Sequence, residues 1–377
     1  MNIDKMCVAV IGCGVISDIY IQSLKEKFAI IDVVACSDIN EEKMNSQANK
    51  FGIKAMSYGQ ILQDKSIEMI INLTNPAAHY AITKQALENG KHVFSEKMIA
   101  VELEQGKELC RLADENNVRL GVAPDTFLGG SIQTAKYIVE NGLIGEPLSA
   151  VASFNRDMNV FGDILPHMIK RGGTMPFDTG CYYMTALASI LGSAKRVTGF
   201  SRRYKPERIG QRTDRPWMGE KMMVEDDNIM TAVVEYSNQV LCTVHFNSES
   251  ILDERIGLEI YGTEGILIMG DPNQFGNSVY LKKTSNEEIA FPFTHGYLNN
   301  SRGLGAAEMA WAIKKGRPQR ASKEMAYHVF ELIHGMYISS YESKIYELKS
   351  EFEKPKALPV GFIDNGFWGP TEESALM

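Results

Sequence analysis

A chain of 377 residues with 44% hydrophobic and 23% charged residues has the length for two domains or one large one, and the composition of an ordinary globular protein. Its formal charge of −8, without a long basic run, argues against a nucleic-acid surface. No apolar stretch reaches transmembrane length, so no membrane partner is expected.

The first apolar run, Cys7-Val8-Ala9-Val10-Ile11, is short, rich in β-branched residues and stopped by glycine, which suits a buried parallel strand. Gly12-x-Gly14-x-x-Ser17 follows, and helical spacing resumes from Asp18. A strand, a glycine turn and a helix N-terminus make an anion site. The backbone around Gly12, Gly14, Val15 and Ile16 can point N–H groups at a phosphate. Ser17 stands where the dinucleotide fingerprint has Gly or Ala, a mild departure because serine is small. The second run, 30–36, ends at Ser37-Asp38, where a carboxylate is expected to accept from ribose hydroxyls. A carboxylate there repels a 2′-phosphate, so the cofactor reads as NAD; a turn or helix-cap role for Asp38 is the alternative.

Strands are predicted at 6–11, 30–37, 52–56, 68–74, 91–96 and 118–123, with helices at 17–27, 41–51, 58–63, 77–89 and 102–117. This alternation predicts a doubly wound parallel sheet in a cofactor domain over 1–125. After a bridging helix at 130–142, longer strands are predicted at 148–155, 196–204, 228–236, 239–247, 255–261 and 265–269. Their alternation predicts an open, mainly antiparallel sheet with one free face, in an α+β domain over 126–350. Helices at 301–315 and 322–342 would follow, the last helices returning to the first domain, with a tail over 351–377. The first strand begins within a few residues of Met1, leaving no room for a signal peptide. A cytoplasmic protein is expected, with six dispersed cysteines reduced and no metal, since neither cysteines nor histidines show ligand spacing.

Ligands of such a sheet sit at the carboxyl ends of its strands, which singles out three segments. Strand four ends at Thr74-Asn75-Pro76, beside the dinucleotide; His79 there is either a cofactor contact or a helix-surface histidine. Strand five ends at Glu96-Lys97: the lysine can donate to a reacting oxygen and the carboxylate can hold a ribose hydroxyl or tune that lysine. The alternative is a solvated charge pair. In Arg171-Gly172-Gly173 through Tyr183, Asp178 and Tyr182 are four apart, which would put a carboxylate and a phenol on one helix face. Asn155, Arg156 and Trp217 offer polar and aromatic groups suited to a sugar, or are structural. No basic cluster marks a sugar phosphate.

In their order and spacing these segments resemble the Gfo/Idh/MocA family of sugar and polyol oxidoreductases over nearly the whole chain. The glycine turn, Asp38, the Asn75-Pro76 loop, Glu96-Lys97, the Gly-Gly stretch to Asp178, Ser301-Arg302-Gly303 and Arg317-Pro318-x-Arg320-Ala321-Ser322 carry the resemblance. The resemblance implies hydride transfer between a carbinol carbon and nicotinamide, with Lys97 polarising the hydroxyl. Met98 replaces the family's proline, which puts the turn presenting Lys97 in doubt. Tyr182 replaces the histidine that acts as general base in many members. Three bases remain open: Tyr182 assisted by Lys97, Lys97 itself, or His167. The expected substrate is a neutral sugar, polyol or glycoside, with oxidation at the ring C3 hydroxyl as the specific expectation. The alternatives are a redox-cycling glycosidase and a non-catalytic NAD-bound sensor. The open sheet face predicts a homodimer or homotetramer.

Overall fold

The computed structural model describes residues 4–159, 165–284 and 287–360. Six parallel strands form the first sheet: β1 (Met6–Ile11), β2 (Ile31–Ser37), β3 (Lys54–Ala55), β4 (Met69–Asn72), β5 (His92–Ser95) and β6 (Leu120–Val122). Their order, β3-β2-β1-β4-β5-β6, reverses direction between β1 and β4, and this switch point is where a doubly wound sheet opens a crevice for a ligand. The connecting helices are α1 (Val15–Lys27), α2 (Glu41–Phe51), α3 (Tyr58–Gln63), α4 (Pro76–Glu88) and α5 (Leu103–Glu115). β1 and β4 are almost wholly buried, as helices on both faces of a parallel sheet require.

Helix α6 (Gly130–Glu140) leads into the second sheet. Its nine strands are β7 (Pro147–Asp157), β8 (Ala194–Arg202), β11 (Ile229–Tyr236), β12 (Leu241–Asn247), β13 (Glu249–Gly262), β14 (Ile266–Met269), β15 (Val279–Lys282), β16 (Glu288–Phe291) and β17 (Tyr346–Glu347). All pairings are antiparallel except β12 with β7. One face packs Ala150, Ala152, Phe154, Val244 and Phe246 against helices; the other is open. Strands β9 (Glu207–Ile209) and β10 (Lys221–Met223) form a separate hairpin. Both sheets match the expected α/β architecture. The short strands β9, β10, β15, β16 and β17 have too few residues for alternation to reveal them.

Helices α7 (Met175–Asp178) and α8 (Gly180–Leu191) correct one expectation. Asp178 and Tyr182 do not share a continuous helix, because the chain tightens at Thr179, where the Tyr182 amide donates to the Thr179 carbonyl at 3.1 Å. The closing helices α9 (Leu304–Lys314) and α10 (Lys323–Glu342) return to the first sheet, as expected: both contact β6, and Gly121 bridges to Ser322. The arginines of the Arg317-Pro318-x-Arg320 segment explain this join. Both donate to the fully buried Glu308 carboxylate, at 2.6 and 2.7 Å. A buried charge needs such partners, so their presence fixes α9 against the start of α10. Residues 361–377 of the expected tail lie outside the described residues. Its first part is pinned: the Leu358 amide donates to Gln133 at 2.7 Å.

Candidate active site

The glycine turn after β1 admits no side chain at its first position. Gly12 has φ +98°, and a Cβ there would sit 2.8 Å from the Leu73 carbonyl. Gly14 is the N-cap of α1, with open space where its Cβ would be and no side chain capping the helix. The first-turn N–H groups are thus available to an anion. The Asp38 carboxylate ties β2 to this turn, accepting from the Cys13 amide at 2.7 Å and the Asn40 amide at 2.8 Å. The cap of α2 is Asn40, so the helix-cap alternative for Asp38 falls away. Val15 and Ile39, both at least nine-tenths exposed, flank the turn as apolar surfaces that a nucleotide would cover. Ser17 is fully buried; its hydroxyl donates to the Gly14 carbonyl at 2.6 Å and accepts from Gln47 at 2.6 Å. These residues fit a dinucleotide.

Beyond β4, the Thr74 hydroxyl donates to Asn72 and Asn75 caps α4, with Pro76 in its first turn as expected. His79 is neither on the helix surface nor free to meet a ligand. It is 1% exposed, with its ring nitrogens 2.7 Å from the Met98 carbonyl and 2.9 Å from the Thr74 carbonyl. Burial pulls its pKa below the usual histidine value. It braces the cofactor loop against the turn carrying Lys97.

The Glu96-Lys97 pair is not solvated. Glu96 is 8% exposed and accepts from the Tyr20 hydroxyl at 2.6 Å and from the Lys97 amide at 3.0 Å. The Lys97–Met98 peptide is cis, and Met98 is buried. The Lys97 ammonium donates to the Asp178 carbonyl at 3.1 Å and pairs with its carboxylate. It also lies 5.6 Å from the Tyr182 ring centroid. His167 reaches the same carboxylate at 3.8 Å. Four residues drawn from three separate segments therefore meet at one point.

Their electrostatics follow from burial and charge. Burial disfavours the Lys97 ammonium, but the Asp178 carboxylate overcomes it and holds the lysine above its usual value. Burial alone would raise Asp178; Lys97 and His167 reverse that and bring it to about 2. Burial pushes the Tyr182 phenol well up, more than Lys97 pulls it down.

A cavity of about 740 Å³ opens beside this cluster, lined by Arg156, Asp178, Thr179, Asp271, Asn273 and Asn277 among others. Arg156 is thus brought to the site. Asn155 and Trp217, proposed from sequence as substrate contacts, are not. Alternation along β7 turns Asn155 to the open sheet face, where His245 lies at 3.4 Å. Trp217 packs in the β9–β10 hairpin under Arg215, at 5.9 Å. Asp271, Asn273, Asp125 and Tyr20 escaped the sequence reading, and Arg302 entered it only through a motif. The polar turn Gly270-Asp271-Pro272-Asn273 after β14 was the available signal.

Residues 6–123 match the oxidoreductase family, NAD-binding Rossmann fold model, and residues 132–268 match the GFO/IDH/MocA C-terminal domain model. The chain belongs to this family. Among curated relatives, an uncharacterised oxidoreductase of Schizosaccharomyces pombe is 30% identical over 50% of this chain and 53% of its own length. D-xylose dehydrogenase of Paenarthrobacter nicotinovorans is 27% identical over 45% of this chain and 46% of its own length. The chain thus spans about half the length of these relatives. The NAD(+)-dependent scyllo-inositol 2-dehydrogenase of Bacillus subtilis is 25% identical over 74% of this chain and 78% of its own length. The apo form of levoglucosan dehydrogenase shares the fold, with a TM-score of 0.79 at 19% identity over 92% of this chain and all of that one. No helix among the described residues of this family member is long and apolar enough to cross a membrane.

Proposed function

We propose that this protein is an NAD-dependent dehydrogenase acting on a secondary hydroxyl of a neutral sugar, polyol or glycoside, with ring C3 of a glycoside as the specific site. The observation that carries this reading is the convergence of Lys97, Asp178 and Tyr182 between the glycine-turn crevice and a cavity of mixed polar and apolar lining. The charges of that cavity favour a neutral substrate: Lys97 faces Asp178, and Arg156 faces Asp271 at 3.8 Å. A phosphate or carboxylate would have to displace a carboxylate already in place.

Gly12, Gly14, Val15 and Ile16 would receive the pyrophosphate, Asp38 the ribose, and the Thr74–Asn75 loop and Glu96 the nicotinamide half. Bound NAD supplies a hydride acceptor. Lys97 donates to the substrate oxygen and favours its developing negative charge, Tyr182 as its phenolate takes the hydroxyl proton and becomes the neutral phenol, and Asp178 fixes Lys97 while accepting from a neighbouring hydroxyl. His167 is the second candidate base, because it already reaches Asp178.

The test is incubation with NAD and a panel of free sugars, inositols and glycosides, following NADH absorbance and product mass. A two-hydrogen mass loss with NADH formation supports the reading; aglycone release without NADH, or binding without turnover, overturns it. The open sheet face, with exposed Phe200, Val233 and Leu241, suits a second copy of this chain. Light scattering on a dilute sample that returned a monomer would exclude that assembly.

A further inference from the structure

Arg156 and Asp271 meet on the cavity wall, one from the end of β7 and the other from the turn after β14. Both are held from behind. Arg156 shares its strand face with Phe154, and its guanidinium carbon lies 5.8 Å from that ring's centroid. The ring is itself stacked on Phe246 at 4.7 Å. The Arg156 Nη1 donates to the Asn155 carbonyl at 3.3 Å. On the other side, Oδ1 of Asp271 serves its own turn, accepting from the Asn273 amide at 2.9 Å. The Asp271 carbonyl accepts from the Gln274 amide at 3.0 Å and from the Asn277 side-chain amide at 3.2 Å. The arms of this turn approach so closely that a Cβ at Gly270 would lie 2.5 Å from that of Asn277. The Asn273 side chain accepts from Arg302 at 2.6 Å. The Asp125 carboxylate holds the turn behind Arg302 by accepting from the Gly303 and Gly305 amides, at 2.8 and 3.0 Å.

This scaffold leaves a gap. Nη2 of Arg156 and Oδ2 of Asp271 are 3.8 Å apart, near enough to attract and too far for a hydrogen bond. The side chains are 13% and 23% exposed, so the gap stays open to the cavity. One oxygen placed over it is within reach of both atoms. A hydroxyl fits, because it accepts from the guanidinium with a lone pair and donates its proton to the carboxylate. An ether oxygen has no proton for Asp271. A carboxylate or phosphate meets Asp271 as a like charge, and an ammonium meets Arg156 in the same way. Met175, Ile256 and Met269 line the same cavity and offer apolar contact to the C–H bonds of a ring.

Resting on the reading of Lys97 and Asp178 as the reacting centre, we propose that the Arg156–Asp271 gap is a second subsite, specific for a substrate hydroxyl that does not react. It selects rings that carry a free hydroxyl away from the oxidised carbon, and rejects those deoxygenated or O-methylated at that position. No bond is made or broken there. The subsite sets which ring binds and how the ring lies over Lys97.

The experiment takes the ring that the panel shows to be turned over best, with its monodeoxy and mono-O-methyl analogues, and measures KM and kcat on wild type, Arg156→Met and Asp271→Asn. In Asp271→Asn the side-chain oxygen stays with the Asn273 amide and the nitrogen faces the gap, where it cannot accept. Arg156→Met keeps an apolar contact with Phe154, and matching melting temperatures exclude misfolding. In wild type, loss of one particular non-reacting hydroxyl should lower kcat/KM at least about tenfold, chiefly through KM. In both variants the parent ring should weaken by a similar factor and the analogue little, so that the penalty shrinks to about threefold or less. A penalty of equal size in wild type and variants, or none at any position in wild type, overturns the proposal. If wild type turns over nothing on the panel, the functional reading fails by itself. Calorimetric binding of myo-inositol, methyl glucoside and their monodeoxy analogues to the NADH-loaded protein then decides the subsite. A deoxy penalty present in wild type and lost in both variants supports it; equal affinities across the analogues, or no binding of either ring, overturns it.

Discussion

The cofactor crevice and the proposed substrate cavity are built on opposite principles. The crevice is local: Gly12, Gly14 and Ser17 lie within one turn, and what they present is backbone. The cavity and the cluster beside it are assembled at long range, with Lys97, Arg156, Asp178, Tyr182 and Asp271 arriving from strand ends, helices and turns far apart in the chain. A site made of backbone tolerates little at its glycines and is indifferent to most side chains around it. A site made of side chains tolerates change in its scaffold but depends on each charge. Substitutions should therefore separate the two halves cleanly.

The largest effect is expected at Lys97. Lys97→Met leaves the Asp178 carboxylate without its closest cation and the substrate oxygen without a donor, so turnover should fall roughly 10³- to 10⁴-fold. NAD affinity, measured by fluorescence titration, should stay within about threefold because the glycine turn is untouched. A comparable loss of NAD binding would break the division. Gly12→Ala is the converse. Its Cβ meets the Leu73 backbone, which follows directly on β4, and its φ is unfavourable for alanine. Strain of about 1–3 kcal/mol and a drop in NAD affinity are expected, read by melting and titration.

Asp125 sharpens the boundary, since it holds the Arg302 turn without touching the cavity. Burial pushes its carboxyl up to about 6, against the amides of Gly305 and Gly303. A carboxyl raised above its unfolded value of about 3.9 contributes stability that is complete below pH ~4 and lost as pH rises through about 6. Asp125→Asn keeps an oxygen for both amides and removes the charge. The variant should lose that pH dependence and gain up to about 3 kcal/mol relative to wild type between pH ~4 and ~7. Urea unfolding at those two pH values checks it; parallel curves would show that Asp125 titrates normally.

The same contrast decides what was legible in the sequence. The crevice could be read from Gly12 to Asp38 because its chemistry is a spacing along one strand, one turn and one helix. Lys97 and Asp178 were legible as strand-end and helix-start residues, yet their contact was not, since eighty-one positions separate them. His79 was misplaced because a histidine four residues into a helix gives no sign that the Lys97–Met98 turn will fold over it. Asn155 and Arg156 are neighbours in sequence, but a strand sends them to opposite faces, and composition cannot say which face borders the cavity. The break at Thr179 was hidden because four-residue spacing fits one helix as well as two.

The smallest expected effect returns to Ser17, where the fingerprint has Gly or Ala. Its hydroxyl spans the Gly14 carbonyl and the Gln47 amide, so the serine serves the turn's scaffold. In Ser17→Ala the Gln47 side chain keeps its second acceptor, Asp18, at 2.8 Å, so no buried donor is stranded. The loss should be about 1 kcal/mol, a melting shift on the order of 2 °C, with NAD affinity unchanged within about twofold. A tenfold change in affinity would mean that the serine hydroxyl takes part in holding the pyrophosphate. The crevice would then depend on a side chain after all, as the cavity does.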